Sequence, residues 1–126
     1  ILLGENGEHQ KAIEDFSRAL EINPTFAKTY VIRGNLYRYL FQSQKAISDY
    51  TTAIQIDPAY AKAYYNRGVS YAWLNSHLAA IAEFSKAIEL DPEYPHAYCE
   101  RAMSYKRLGC IDLAQQDLVD YRTRTR

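Results

Sequence analysis

The chain has 126 residues, of which 48% are apolar and 24% charged, so it is long enough to build one hydrophobic core. Its 15 basic and 15 acidic residues cancel to a formal net charge of zero, which argues against a general nucleic-acid binder. No apolar run approaches the roughly 20 residues that a membrane span needs, so no span is predicted.

The compartment is the least constrained property of the sequence. No signal peptide is recognisable, but the chain opens at Ile1 rather than an initiator Met and is interpreted as a fragment. The cytoplasm is the expected compartment. Two cysteines, Cys99 and Cys110, are too few for a disulfide framework and are predicted to be reduced thiols.

Three prolines, Pro24, Pro58 and Pro92, lie 34 residues apart. The segments before Pro58 and Pro92 superpose without a gap and share residue types at seven offsets. The shared positions are Tyr30, Arg33, Gly34, Tyr37, Ala46, Tyr50 and Ala53, and then Tyr64, Arg67, Gly68, Tyr71, Ala80, Phe84 and Ala87. Such a period indicates helical hairpins that must stack, because one hairpin cannot bury its apolar face alone.

The register extends in both directions and predicts four repeats. In chain order they are 1–26, 27–60, 61–94 and 95–126. The first is expected to be truncated, because Ile1 falls inside its first helix. The fourth is degenerate, since Ala102 replaces the glycine, Tyr121 the last small residue and Arg126 the proline.

Each repeat is predicted to hold a first and a second helix. Second helices are placed near 9–22, 43–56, 77–90 and 111–123, and first helices near 24–40, 58–74 and 92–108. Asp57-Pro58 is interpreted as an N-cap followed by proline at the first helical position, and Asp91-Pro92 likewise. Each proline is therefore expected to open a helix.

The connections within repeats carry short polar residues and glycine. Ser43 and Ser76 are candidate caps of second helices, while Gly7 and Gly109 are predicted to occupy turns. Everything is expected to be helix or short turn.

Glycine also occurs inside two predicted helices, where it costs roughly 1 kcal/mol relative to alanine. A cost repeated at Gly34 and Gly68 suggests close helix contact. The predicted facing residues on the partner helix are Ala46 and Ala80.

The pattern Tyr-x2-Arg-Gly-x2-Tyr, followed by Ala-x3-aromatic and proline, resembles the tetratricopeptide repeat family over the whole chain. The family's usual tryptophan and leucine are replaced here by Tyr30 and Arg33 and their equivalents. The resemblance implies an all-α fold of antiparallel helical hairpins wound into a right-handed α-α superhelix. It also implies a protein-protein interaction module without catalytic activity of its own, whose first helices line a concave groove for a partner's peptide segment.

Helical geometry places one face of the first helices in this groove, namely the positions outside the packing columns. The predicted groove residues are Lys28, Val31, Asn35, Arg38 and Tyr39, then Lys62, Tyr65, Asn66, Val69 and Trp73, then His96, Cys99, Met103 and Arg107. With the neighbouring Lys106 and Glu100 the face is net positive, which favours an acidic or C-terminal-carboxylate peptide. The alternative is an ordinary solvated helix face.

Aromatic and sulfur side chains are the other distinctive content of this face. Tyr65, Trp73 and Met103 offer the contact area typical of binding hot spots. Asn35 and Asn66 offer amide hydrogen bonds to a peptide backbone. Alternatively, Trp73 covers the core of its own hairpin.

Arginine recurs at Arg33, Arg67 and Arg101, each 16 residues before an acid. One interpretation is a ladder of guanidinium groups that holds an anionic ligand. The favoured one is an ion pair inside each repeat, with the arginine stem packed on tyrosine.

A two-carboxylate clamp for the C-terminal tails of Hsp90- and Hsp70-type cytosolic chaperones is disfavoured. Asn35 and Asn66 match its pattern, but Val31, His96 and Glu100 occupy places that need lysine or arginine. Glu100 would repel a carboxylate.

Catalytic and metal sites find little support. No phosphate-loop, nucleophile-elbow or zinc-protease motif occurs. His96 and Cys99 could share one helical face, but a metal site usually needs three or four ligands, so no metal or cofactor is predicted. The basic tail at Arg122, Arg124 and Arg126 does not change the prediction of no nucleic-acid partner.

The last predicted helix is apolar, although no further helix follows it. Its apolar residues are Ile111, Leu113, Leu118, Val119 and Tyr121. Terminal repeats normally carry a polar outer face. A self-assembling scaffold that uses its terminal apolar faces is therefore the alternative function.

Overall fold

A computed structural model describes residues 3–126, with side chains from Asn6 onwards. The prediction that Ile1 lies inside a first helix falls outside the described residues. The described residues form seven helices joined by short turns. They are α1 (Leu3–Ile22), α2 (Ala27–Tyr39), α3 (Ser43–Ile56), α4 (Ala61–Trp73), α5 (His77–Leu90), α6 (Pro95–Arg107) and α7 (Ile111–Arg124). The chain divides into two compact units, Ile1–Pro58 and Ala59–Arg126.

The second helices α3, α5 and α7 begin where the sequence predicts them to begin. The helix α1 differs, because it starts at Leu3 and continues through Gly7, so the predicted turn at Gly7 is wrong. The equivalent positions in the other repeats are Phe41, Asn75 and Gly109, which all have positive φ and separate two helices. Gly109 therefore lies in a turn as predicted.

The first helices begin three residues after the prolines, not at them. Asp57 and Asp91 are the C-caps of α3 and α5, so their predicted role as N-caps is wrong. A tyrosine of the following helix stabilises the proline turn instead. The hydroxyl of Tyr98 on α6 donates a hydrogen bond of 2.9 Å to the carbonyl oxygen of Pro92. In the first unit Tyr30 makes the same bond to Pro24.

The predicted serine caps are also corrected. Ser43 is the first residue of α3, and Gln42 occupies the N-cap. Ser76 does occupy the N-cap of α5, but its side chain makes no capping hydrogen bond.

Close helix contact at the two mid-helix glycines is confirmed, and the nearest side chains are aromatic. A Cβ atom placed on Gly34 would lie 2.7 Å from Cε1 of Tyr50, and one on Gly68 would lie 2.7 Å from Cε1 of Phe84. The glycines therefore face the aromatic rings of Tyr50 and Phe84. Ala46 and Ala80, the residues predicted to face the glycines, are both fully buried.

Each recurring arginine joins the two helices of its hairpin. Arg33 forms a two-pronged ion pair with Asp49, in which Nε lies 2.9 Å from Oδ2 and Nη2 lies 2.6 Å from Oδ1. Its Nη1 also donates to Ser17 of α1 at 3.1 Å, which links α2 to the preceding helix. The hydrogen bonds to Asp49 raise the pKa of Arg33, because their effect outweighs the opposing effect of burial.

The same contact recurs in the second unit. Arg101 pairs with Asp117 at 2.8 and 2.7 Å and reaches Ser85 of α5 at 3.0 Å, and Arg67 pairs with Glu83. The guanidinium of Arg101 also lies 5.9 Å from the ring centroid of Tyr98. The ion-pair interpretation is therefore confirmed, and these arginines are engaged within the fold.

Candidate functional site

On α2 the predicted groove residues differ widely in accessibility. Lys28 and Tyr39 are exposed, while Arg38 is half-buried. Val31 is buried, so it does not contribute accessible surface. The amide oxygen of Asn35 accepts a hydrogen bond of 2.5 Å from the hydroxyl of Tyr50, so this oxygen is already engaged.

On α4 the predicted face is also only partly accessible. Asn66 and Val69 are buried, which removes them from the accessible surface. Val69 belongs to the core with Ala80 and Phe84. The prediction from helical face alone included these residues because it did not account for the neighbouring helices that cover them.

Tyr65 on α4 is held in an aromatic cluster. Its ring centroid lies 5.0 Å from that of Tyr94 and 5.8 Å from that of Phe84. The ring is half-buried, while Lys62 one turn earlier is exposed. Tyr65 therefore contributes a fixed edge to the face rather than an adaptable contact.

Trp73 at the end of α4 is 56% exposed, and Met103 on α6 is 57% exposed. Most of the Trp73 side chain is therefore exposed, rather than buried over the core of its own hairpin as the alternative interpretation expects. Large apolar side chains this exposed are candidates for contact with another molecule.

These two side chains lie in one cleft of the second unit with a volume of about 350 Å³. It is lined by Ala72, Trp73, Asn75, His77, Glu100, Met103, Ser104 and Arg107. The structure thus brings together three predicted groove residues, namely Trp73, Met103 and Arg107. Their mixture of an aromatic ring, a thioether and a guanidinium suits a peptide segment with both an apolar and an anionic group.

The sequence did not predict Asn75, His77 or Ser104 as residues of this cleft. His77 begins α5, and its Nδ1 lies 3.3 Å from Oγ of Ser104 while its Nε2 lies 3.0 Å from Oδ1 of Asn75. These bonds fix the imidazole at the wall of the cleft. Asn75, which has positive φ, forms the turn that places His77 there. The sequence predicts a groove lined by first helices alone, so it does not include this turn or the start of α5.

The remaining predicted residues lie on α6 outside the cleft. His96 is exposed, and its ring is edge-on to Tyr121 at 6.5 Å. Cys99 is half-buried, and burial, together with the charge of Glu100, raises the pKa of its thiol. In the part of the chain with described side chains, no group of three metal-ligating residues is found.

A second, smaller cavity of about 150 Å³ lies on the surface of α6 and α7. It is lined by Ala102, Met103, Lys106, Ile111, Ala114, Gln115 and Leu118. Ile111, Leu113 and Val119 are each about half exposed on α7. The apolar surface predicted for the last helix is therefore present.

None of the described helices combines the length and apolar character needed to cross a bilayer.

Family models match four stretches of the chain. One described as TPR repeat matches residues 34–75, and three described as Tetratricopeptide repeat match residues 2–26, 61–94 and 83–116. The chain belongs to the tetratricopeptide repeat family.

Curated protein sequences give no match to the chain. Among solved structures, a crystal structure of MamA is 27% identical with a TM-score of 0.88, over 93% of this chain and 68% of that one. The second TPR of Spaghetti (RPAP3), bound to the HSP90 peptide SRMEEVD, is 29% identical with a TM-score of 0.76, over 77% of this chain and 90% of that one.

A third structure, MamA 41-end from Desulfovibrio magneticus RS-1, is 22% identical with a TM-score of 0.86, over 98% of this chain and 70% of that one. At this identity the likeness concerns the fold alone. Together these similarities identify an all-α helical solenoid whose family acts in protein-protein interaction.

Proposed function

We propose that the chain is a non-catalytic interaction module that binds a peptide segment of a partner protein at the α4–α6 face of its second unit. The observation that carries the proposal is the cleft in which Trp73 and Met103, both more than half exposed, meet Arg107. Aromatic, methionine and arginine side chains are the ones enriched at interfaces between proteins.

The proposed ligand combines an apolar side chain with an acidic group. The apolar side chain would lie between Trp73 and Met103, and the acidic group would pair with Arg107. Lys62 and Lys106, both exposed, add positive charge to the same two helices, against the single carboxylate of Glu100. Such charges mainly steer the encounter and select the partner's sign, while the apolar contacts hold the complex.

Chaperone tails are the most direct ligand to compare, because the Spaghetti (RPAP3) neighbour is bound to SRMEEVD. In this chain the predicted clamp has Val31, His96 and Glu100 in place of basic residues, and its Asn66 is buried. We therefore expect SRMEEVD to bind more weakly than an acidic peptide that also carries a central aromatic or leucine residue.

The test uses Trp73 as a reporter, because it is the only tryptophan in the chain. Partners captured from a lysate with the wild type are identified, and their acidic segments are made as peptides and titrated while tryptophan emission is followed. A saturable shift is expected, and Arg107→Glu should weaken binding at least tenfold. Capture is compared with Trp73→Ala/Arg107→Glu and with a control, Lys11→Glu/Leu78→Ala, which changes exposed residues outside the cleft.

Retention of the partner by the cleft variant, with its helical circular dichroism intact, would contradict the proposal. SRMEEVD binding that survives Arg107→Glu would place that peptide elsewhere on the surface.

The alternative function is a self-assembling scaffold, favoured by the half-exposed Ile111, Leu113 and Val119 on α7. Light scattering over a concentration series tests it. Association that Ile111→Glu/Val119→Glu abolishes supports this alternative, whereas a monomer at every concentration contradicts it.

A further inference from the structure

The cleft of the proposed function contains two opposite charges, and both belong to α6. Glu100 and Arg107 line it together with Met103. Residues at positions i, i+3 and i+7 of a helix share one face, so these three side chains form a row, here called the α6 row. Glu100 is at one end and Arg107 at the other, about 10 Å apart along the axis, because a helix rises about 1.5 Å per residue.

The remaining lining of the cleft adds no formal charge to this row. It includes neither Lys62 nor Lys106. Its other titratable residue is His77, whose Nε2 donates to Oδ1 of Asn75, an acceptor, and whose Nδ1 accepts from Oγ of Ser104. These are the hydrogen bonds of a neutral imidazole. The lining therefore has one negative and one positive charge, separated along the α6 row.

The two charges are particular to the fourth repeat. The ion pairs that join the helices of each hairpin recur at the repeat period, whereas these charges do not. The earlier repeats have uncharged residues in the same columns, namely Ile32 and Asn66 for Glu100, and Tyr39 and Trp73 for Arg107. Stacking of the helices thus requires no charge at either position.

The apolar part of the lining lies with the middle of the row. Met103 occupies that position, and Trp73 of α4 lines the same cleft, both more than half exposed. In an extended peptide, alternate side chains share one face and are about 7 Å apart. Three alternate residues then span about 13 Å, which long, flexible side chains can match to a row of about 10 Å.

We propose that the cleft selects an extended segment in which three alternate residues are basic, apolar and acidic, so that Glu100 determines specificity together with Arg107. The basic residue pairs with Glu100, the apolar residue lies between Trp73 and Met103, and the acidic residue pairs with Arg107. This inference rests on the proposed function and narrows it, because a uniformly acidic segment would place a carboxylate beside Glu100.

The probes are fluorescein-labelled synthetic peptides with the core Lys-Ser-Leu-Ser-Glu, made in this order and in the reverse order. In two comparison peptides alanine or glutamate replaces the lysine. Fluorescence anisotropy measures their binding to the whole chain. Saturable binding of the lysine peptide is expected in at least one order. The alanine peptide of that order should bind severalfold more weakly, and the glutamate peptide at least tenfold more weakly.

Three protein variants make the test specific. Glu100→Gln should bind the lysine and alanine peptides equally, because the charge that distinguishes them is gone. Glu100→Arg should invert the preference, so that the glutamate peptide binds at least tenfold more tightly than the lysine peptide. Glu89→Gln removes an exposed acid of α5 outside the cleft and should leave every affinity unchanged. Circular dichroism melts establish that each variant is folded.

A preference for lysine over alanine that is the same in the wild type and in Glu100→Gln would overturn the inference. If Arg107→Glu then weakened both peptides alike, the proposed function would stand without it. Lysine-peptide binding that survives Trp73→Ala/Arg107→Glu would contradict both. Absence of saturable binding in either order would also overturn the inference, while capture of partners from a lysate decides the proposed function by itself.

Discussion

Three residues at the centre of each hairpin change together along the chain. The sets are Gly34, Asn35 and Tyr50, then Gly68, Val69 and Phe84, then Ala102, Met103 and Leu118. An aromatic ring leaves no room for a Cβ atom on the facing helix, so glycine is required there. Where the ring is replaced by Leu118, Ala102 is accommodated, and the two residues line one small cavity. The replacement of glycine by Ala102 is therefore matched by the replacement of the aromatic ring by Leu118.

This matching predicts a coupled effect of substitutions at Gly68 and Phe84. Gly68→Ala should lower the free energy of unfolding by about 1 kcal/mol, because overpacking costs roughly 1–3 kcal/mol while the gain in helix propensity is about 1 kcal/mol. Urea denaturation measures the change. In the double variant Gly68→Ala/Phe84→Leu, the loss should be smaller than the sum of the single losses by at least about 0.5 kcal/mol.

Gly7 provides the control, since it is also helical but a Cβ atom there would meet nothing within 4 Å. Gly7→Ala should stabilise the chain, by up to about 1 kcal/mol. Additive effects at Gly68 and Phe84, or a stabilising Gly68→Ala, would contradict the packing account.

The two thiols are predicted to differ in reactivity. Burial, followed by the charge of Glu100, raises the pKa of Cys99, so it holds less thiolate near neutral pH than an ordinary thiol. Cys110 is exposed. Limited maleimide labelling at pH 7.5, read by peptide mass spectrometry, should modify Cys110 severalfold faster, and Cys99 should gain rate only as the pH rises further. Equal rates for the two thiols would refute this prediction.

At the scale of elements, the arginine contacts join helices as well as residues. Arg33 and Arg101 each bind an acid of their own hairpin and a serine of the helix before it. Three elements are thus held by one side chain. The acid and the serine lie 16 residues on either side of the arginine, and the same contact recurs two periods of 34 residues further on, at Arg101.

Asp117→Ala is therefore expected to lower the free energy of unfolding by about 2 kcal/mol, because it leaves the half-buried guanidinium of Arg101 without its charged partner. Thermal and urea unfolding measure the loss. Glu89→Ala removes an acid from an exposed pair with Lys86 and should change stability by less than about 0.5 kcal/mol. Similar losses of stability in the two variants would contradict the prediction that the more buried ion pair contributes more.

The final helix ends with a contact that the pattern did not predict. Arg124 stands where Ile56 and Leu90 stand in earlier repeats. Its Nε donates to the carbonyl oxygen of Pro92 at 2.7 Å, and its guanidinium lies 4.5 Å from the ring centroid of Tyr98. Burial raises the pKa of the Tyr98 hydroxyl against the opposing charge of Arg124, so this hydroxyl remains a donor.

The second helices could be predicted from the sequence because a fixed period and an apolar stripe coincide in them. The starts of the first helices could not, since Asp57-Pro58 satisfies the rules for a helix start and for a turn equally well. Likewise Gly7 is a turn residue by type, but it lies inside α1.

The candidate site was predictable to a similar degree. The predicted face contained Trp73, Met103 and Arg107, since helical geometry fixes which side chains share a face. It also contained Val31 and Val69, which are buried. Burial depends on how neighbouring helices pack, and a single helix does not encode that.

At the scale of the whole molecule, the balance of charge governs how copies of the chain behave in solution. The sequence isoelectric point is about 7.0, where the formal net charge is zero. A protein without net charge lacks the repulsion that keeps copies apart, and several large apolar side chains are exposed.

The chain is therefore expected to be least soluble near pH 7. Solubility should recover on both sides of neutrality, because the net charge grows in either direction. Precipitation by polyethylene glycol at constant ionic strength, measured from pH 5 to pH 9, checks this. A solubility that changes in one direction only across this range would contradict it.

The hydrogen bond from Tyr50 of α3 to Asn35 of α2 limits which helices can be exchanged between repeats. If α3 were transplanted into the place of α5, the tyrosine hydroxyl would face Val69 and lose its acceptor, and an unpaired buried hydroxyl costs roughly 1–3 kcal/mol. A transplant of α2 and α3 together keeps the donor with its acceptor. The practical unit for building chimeras is thus the pair of helices rather than the single helix.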